Sequence, residues 1–288
     1  MLSDLEMGCK YLSAVKNPPL FILEEINAMD IVQPAKAGFA GAVIHKLSAE
    51  NNQYPWELVG IDEPSKIDTS FTISIDKPDV MLQAITESIY PIIKIKMGFD
   101  GDEELVKLLA KIAEKTLRVD ANGGWSRDKA EKMIFELSRI GVELIEQPTD
   151  VEYIRDWKYL KGHCKCNLFL DEGLEDLEDY MRYADYIDGV NIKMAKSGGI
   201  FEAKKIAEVA RRDHRKVMLG CMVESPVGLS QAVYLSSMAD YFDLDGPLLL
   251  ADNIADGISY NREIIEIDDT FIGGPKLKKE YIEEALDA

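Results

Sequence analysis

Three carboxylates, Asp120, Glu146 and Asp171, each close a short apolar run: LRVD, VELIE and NLFLD. At matched ends of successive strands such side chains converge on one side of a cavity. Buried together, three like charges raise one another's pKa and oppose folding unless a cation stands between them. An all-oxygen set suits a hard divalent ion, and Mg2+ commonly keeps coordination positions for water or substrate. One such acid alone reads as a solvated strand end; the three together read as a metal site.

Lys94 and Lys96 lie two apart in IKIKM, so both project to the same face of a strand while Ile93 and Ile95 pack on the other. Paired ammoniums beside a metal are expected to lower each other's pKa and leave a neutral amine near pH 7. Lys193 closes another run, GVNIK. Two lysines facing each other across a substrate would supply a two-base proton transfer. Asp243 and Asp245 repeat the two-residue spacing and would hold a cation, read here as an ammonium on the substrate.

The elements that must position these residues follow a βα rhythm from residue 69 onward. Strands are expected at 69–75, 92–97, 117–120, 142–146, 167–171, 189–193, 217–221 and 241–245, with amphipathic stretches between them. One polar residue near each strand end (Thr72, Lys94, Asp120, Glu146, Asp171, Lys193, Cys221, Asp243) recurs at gaps of 22 to 28 residues. Eight such units close a (β/α)8 barrel, an α/β fold whose active sites lie at the C-terminal strand ends. Residues 1–68 read as a mainly helical preamble, with a helix at 34–47 and a loop from 51 to 64. Residues 259–288 carry a strand (REIIEI), a Gly-Gly-Pro turn at 273–275 and an acidic, helical tail.

At 288 residues and 47% hydrophobic, the chain can bury a large core. Its 52 acidic against 33 basic residues give a formal charge of −19, which repels nucleic acid and anionic membranes. A small-molecule substrate is expected. No apolar run approaches a membrane span, and no basic segment precedes an apolar signal core. Four scattered cysteines suit a reducing cytoplasm. His163, Cys164 and Cys166 read as a loop entering a strand, without the second ligand pair a zinc site draws on.

The segments KIKMG (94–98), DANGGW (120–125), IEQP (145–148), LDEG (170–173), NIKMAKSGGI (191–200) and GCMVES (220–225) together resemble the muconate-lactonizing subgroup of the enolase superfamily. The similarity spans about residues 34–275, and DLDGP (243–247) resembles the Asp-x-Asp motif of its dipeptide epimerases. That resemblance implies Lys96 and Lys193 as the acid/base pair, with Asp120, Glu146 and Asp171 as Mg2+ ligands. Lys94 would hold the substrate carboxylate, Asp243 and Asp245 the amino terminus of a dipeptide. Cys221 and Met222, through their backbone, and Thr72 would help position it. The same resemblance admits muconate cycloisomerization, o-succinylbenzoate synthesis and N-acyl amino acid racemization, although those substrates bring no ammonium for the paired aspartates. A capping domain normally precedes the barrel, and residues 1–68 read as a truncated helical remnant of it, with the barrel at 69–258 and residues 259–288 packing back toward it. A shortened binder of metal and carboxylates without turnover is the alternative from another class. A homo-oligomer is compatible with the sequence.

Overall fold

The computed structural model describes residues 2–14, 22–64, 66–112, 114–268 and 271–282. Eight parallel strands follow one another around a barrel. They are β1 (Phe71–Ile73), β2 (Ile92–Lys96), β3 (Thr116–Asp120), β4 (Leu144–Glu146), β5 (Asn167–Leu170), β6 (Gly189–Lys193), β7 (Lys216–Gly220) and β8 (Tyr241–Asp243). Each is hydrogen-bonded to the next. Closure rests on a parallel bridge between Thr69 and Phe242. The Ser70 amide donates to the Phe242 carbonyl at 3.1 Å, and the Leu244 amide to Thr69 Oγ1 at 2.7 Å.

Alternation along each strand sorts side chains between the barrel interior and the helical shell. On β2, Ile93 and Ile95 are fully buried beneath helices while Lys94 is buried on the inner face. The helix Arg127–Arg139 shows why the shell forms. Ser126 caps its first turn by accepting the Lys129 amide, and Ala130, Met133, Ile134 and Leu137 fall on one buried stripe. Leu144, Phe169 and Met218 form a small apolar layer inside the barrel, with Tyr241 against it. Arg118 lies beside this layer, donating to Glu143 at 2.7 Å and to the Phe242 carbonyl at 2.9 Å. The floor is packed, so the open end lies above it.

Ahead of the barrel, the helix Gln33–Asn51 packs against the helices Met194–Ser197 and Pro226–Tyr234. Buried Gln231 ties them: its Nε2 donates to the Ala37 carbonyl at 2.8 Å, and its Oε1 accepts the Ile200 amide at 3.1 Å. After the barrel, a hairpin of Ile258–Asn261 and Ile264–Ile267 pairs with Ile67–Asp68. The Gly273 amide then reaches Ser48 Oγ at 2.8 Å, bringing this segment onto the N-terminal helix.

Several boundaries differ from those expected. The expected 34–47 helix runs 33–51, and the expected 51–64 loop contains a short helix at Pro55–Leu58. The eighth strand stops at Asp243 rather than 245, because Asp245 turns the chain into the 3-10 segment Gly246–Leu249, where Pro247 has no amide to offer a ladder. Lys279 to Ile282 are helical, and the rest of the acidic tail lies outside the described residues. Among the described residues, no helix is long and apolar enough to cross a membrane.

Candidate active site

Asp120, Glu146 and Lys193 end β3, β4 and β6, and Asp171 follows β5 by one residue. Each of the three carboxylates offers an oxygen within 4.8 Å of the other two, and all three are buried. Asn191, inward on β6, donates its Nδ2 to Glu146 Oε1 at 2.7 Å. Room for it comes from Gly220 on β7, where an added Cβ would stand 2.3 Å from Asn191 Oδ1.

Four lysines meet these acids, two from β2 and two from the end of β6 and the short helix that follows it. Lys94 Nζ lies 2.6 Å from Asp243 Oδ2, 2.9 Å from Asp120 Oδ2 and 3.0 Å from Glu146 Oε2. Lys96 Nζ donates to Asp120 Oδ2 at 2.7 Å and to Asn122 Oδ1 at 3.1 Å. Lys193 Nζ stands 2.6 Å from Asp171 Oδ2 and 3.8 Å from Glu146 Oε1. Lys196 Nζ donates to both the carbonyl and Oδ1 of Asp171.

The expected mutual depression of the Lys94 and Lys96 pKa values is corrected for Lys94. Burial favours its neutral amine, but Asp243, Glu146, Asp120 and Asp171 together outweigh burial and hold it well above the ordinary lysine range. Burial likewise opposes the charge on Lys193, and Asp171 and Glu146 overcome it, so this pKa is raised too. Among the acids, Glu146 is pushed up by burial and by Asp120. Asp171 is lowered, the pull of Lys193 and Lys196 exceeding the effect of burial. Asp120 is lowered in the same way by Lys94 and Lys96.

The donor set fits a divalent cation. Three oxygen ligands converge, and buried Glu146 Oε2 accepts no hydrogen bond even though Lys94 Nζ is 3.0 Å away, the approach lacking hydrogen-bond direction. No other group of three potential ligands assembles among the described residues. Cys164 instead gives its thiol to the Cys166 carbonyl at 3.3 Å, and the His163 ring meets the Tyr159 carbonyl at 2.7 Å.

Asp243 and Asp245 do not stand as an equivalent open pair. Asp243 Oδ1 accepts Ser70 Oγ–H at 2.7 Å and its Oδ2 faces Lys94. Against burial, Lys94 and Ser70 keep its pKa low. Asp245 accepts the Thr72 amide at 2.7 Å, and burial, with Asp243 nearby, raises it to about 6. The Met222 amide is engaged by Glu224 Oε1 at 3.2 Å, and Cys221 Sγ accepts the Gly246 amide at 3.3 Å. All of the lysines above, with Thr72, Asp243 and Asp245, border one cavity of about 300 Å3 that Cys221 and Met222 also line. A larger apolar cavity of about 710 Å3 beside the Gln33–Asn51 helix is bordered by none of these lysines or of the three clustered carboxylates. The chemistry therefore belongs to the smaller one.

Sequence reading passes over four residues. Lys196 and Asn191 lie inside NIKMAKSGGI and differ from ordinary helix and strand residues only in the partners they meet. Asn122 bridges Lys96 and Glu172, to which it donates at 2.7 Å. Gln147, at a φ of +38°, accepts the Asp171 amide at 3.0 Å and donates to the Thr149 carbonyl at 2.9 Å. A positive φ at a non-glycine residue is an uncommon backbone state, and nothing in its type announces it.

A parallel barrel with three carboxylates gathered at its strand ends and four lysines around them defines a barrel site suited to a divalent cation. Residues 79–269 match the Enolase C-terminal domain-like family, and the chain belongs to that family. It is 36% identical over 197 residues to an L-Ala-D/L-amino acid epimerase of Flavobacterium johnsoniae, which covers 68% of this chain and 59% of that protein. It is 32% identical over 257 residues to an L-Ala-D/L-Glu epimerase of Bacteroides thetaiotaomicron, with 86% of this chain and 67% of that one covered. The chain thus spans less than two thirds of the length of the first of these relatives. Its structure resembles a dipeptide epimerase from Enterococcus faecalis complexed with Mg and L-Leu-L-Tyr, at a TM-score of 0.85 and 26% identity over 96% of this chain and 82% of that one.

Proposed function

We propose that the protein is a cytoplasmic isomerase that epimerises a dipeptide at the Cα of its C-terminal residue. The observation that carries the proposal is the placement of Lys96 on β2 and Lys193 on β6, four strands apart in an eight-strand ring and therefore on opposite sides of the mouth. Asp120, Glu146 and Asp171 would hold Mg2+, which supplies positive charge that acidifies the hydrogen next to a carboxylate. The Lys94 ammonium binds the substrate carboxylate and favours the charge that develops there when the proton leaves. A neutral Nζ of one lysine takes the proton from one face of Cα, and the ammonium of the other returns a proton to the opposite face. Asp245, with Asp243 beside it, receives the substrate's amino terminus.

Incubation with Mg2+ and a panel of L,L-dipeptides in deuterated water is expected to place deuterium at the C-terminal Cα, read by NMR. Lys96→Ala and Lys193→Ala should each abolish epimerisation, yet each should retain exchange for one stereoisomer only. Absence of exchange with every dipeptide would sink the proposal. Parallel loss of both stereospecific exchanges in a single variant would sink the two-base step.

A further inference from the structure

Large apolar side chains face solvent at scattered places among the described residues, but three of them border the catalytic mouth together. Met222, Val223 and Leu249 are 46%, 63% and 44% exposed, and all three line the 300 Å3 cavity. Scattered single exposures need no explanation; a cluster that borders a polar cavity is the kind of wall that orients an apolar ligand group.

Their positions in the fold say which part of a substrate they would meet. Met222 and Val223 lie in the segment after β7, and Leu249 ends the 3-10 turn after β8; β7 and β8 are paired neighbours. Asp245 begins that same turn, four residues before Leu249. The clustered carboxylates sit across the ring, on or just beyond β3, β4 and β5. A dipeptide with its carboxylate on that far side and its ammonium at Asp245 and Asp243 would lay its N-terminal side chain against the apolar trio.

Charge narrows the choice further. Lys94, Lys96 and Lys193 each have a carboxylate within 2.7 Å, and Lys196 is bonded to Asp171. An acidic side chain at this end would face Asp243 and Asp245, while each lysine lining the cavity already has a carboxylate partner of its own. We infer that the mouth selects dipeptides whose N-terminal residue carries an apolar side chain larger than a methyl group, through contact with Met222, Val223 and Leu249. This inference rests on the dipeptide reading of the site.

The test holds the C-terminal residue constant and compares L-Leu-L-Ala, L-Ala-L-Ala, L-Glu-L-Ala and L-Lys-L-Ala by kcat/KM for Mg2+-dependent α-deuterium exchange. L-Leu-L-Ala should exceed L-Ala-L-Ala by about tenfold, the low end for added methylenes against a half-exposed wall, and the two charged dipeptides should fall below both. Leu249→Lys should then shift the ratio of L-Glu-L-Ala to L-Leu-L-Ala upward by roughly tenfold or more. Equal rates for Leu and Ala, a preference for Glu or Lys, or an unchanged ratio in Leu249→Lys would overturn the inference and leave the dipeptide reading standing. Exchange with none of the four would overturn both together.

Discussion

Lowering the pH from 7 to 5 should remove about 2 kcal/mol of folding stability through His45 alone. This imidazole sits on the Gln33–Asn51 helix with its Nε2 at 2.8 Å from Tyr234 Oη and 3.2 Å from Ser230 Oγ. Its ring stands edge-on to Tyr234, with 6.0 Å between centroids. Burial lowers its pKa from 6.5 to about 4. Because the folded value is depressed, the stabilising contribution is complete above the unfolded pKa near 6.5 and is lost as pH falls toward 4. At pH 5 the unfolded imidazole is mostly charged and the folded one mostly neutral, a gap of about 1.5 pH units at ~1.4 kcal/mol each. Urea unfolding of the wild type and of His45→Gln at both pH values isolates the effect, since the carboxylates titrate alike in both proteins. The variant should lose about 2 kcal/mol less than the wild type between pH 7 and 5. Equal losses, or an imidazole NMR titration in the folded protein centred near 6.5, would refute the assignment.

Asn191→Leu removes the hydrogen bond that orients Glu146 Oε1. It should weaken Mn2+ or Mg2+ binding by roughly 10- to 100-fold in a titration calorimeter, and unchanged affinity would show that Glu146 is oriented without it. Asp102, fully buried, accepts Trp125 Nε1 at 2.7 Å and the amides of Gly98 and Phe99, and pairs with Lys129 at 2.9 Å. Asp102→Ala should cost about 2–3 kcal/mol in denaturant unfolding, because it leaves the buried Trp125 Nε1–H and two backbone amides without their acceptor; a cost under about 1 kcal/mol would mean that water replaces the carboxylate.

The barrel is legible in the sequence because its signals are local. A β-branched run followed by an amphipathic stretch needs no knowledge of distant residues, and the polar residue at each strand end inherits its direction from the two-residue period of the strand. Asp120, Glu146 and Asp171 are found this way, since they come from strands that neighbour one another in both chain and ring. Lys94 is different. Its inward direction is readable from IKIKM, but its 2.6 Å contact with Asp243 joins residues 149 apart and exists only because the ring closes through Thr69 and Phe242. Two lysines two residues apart on one strand face suggest repulsion and low pKa values; the closed ring sets several carboxylates around the first of them and reverses the sign. The same closure divides Asp243 from Asp245. The spacing makes them look equivalent, whereas the strand ends at the first of them, which takes Lys94 and Ser70, and leaves the second to the Thr72 amide. Residue type and spacing therefore carry the direction of each side chain from its own strand. The charge state of the site depends on which strands meet, and in a barrel the last of those meetings is between the first strand and the eighth.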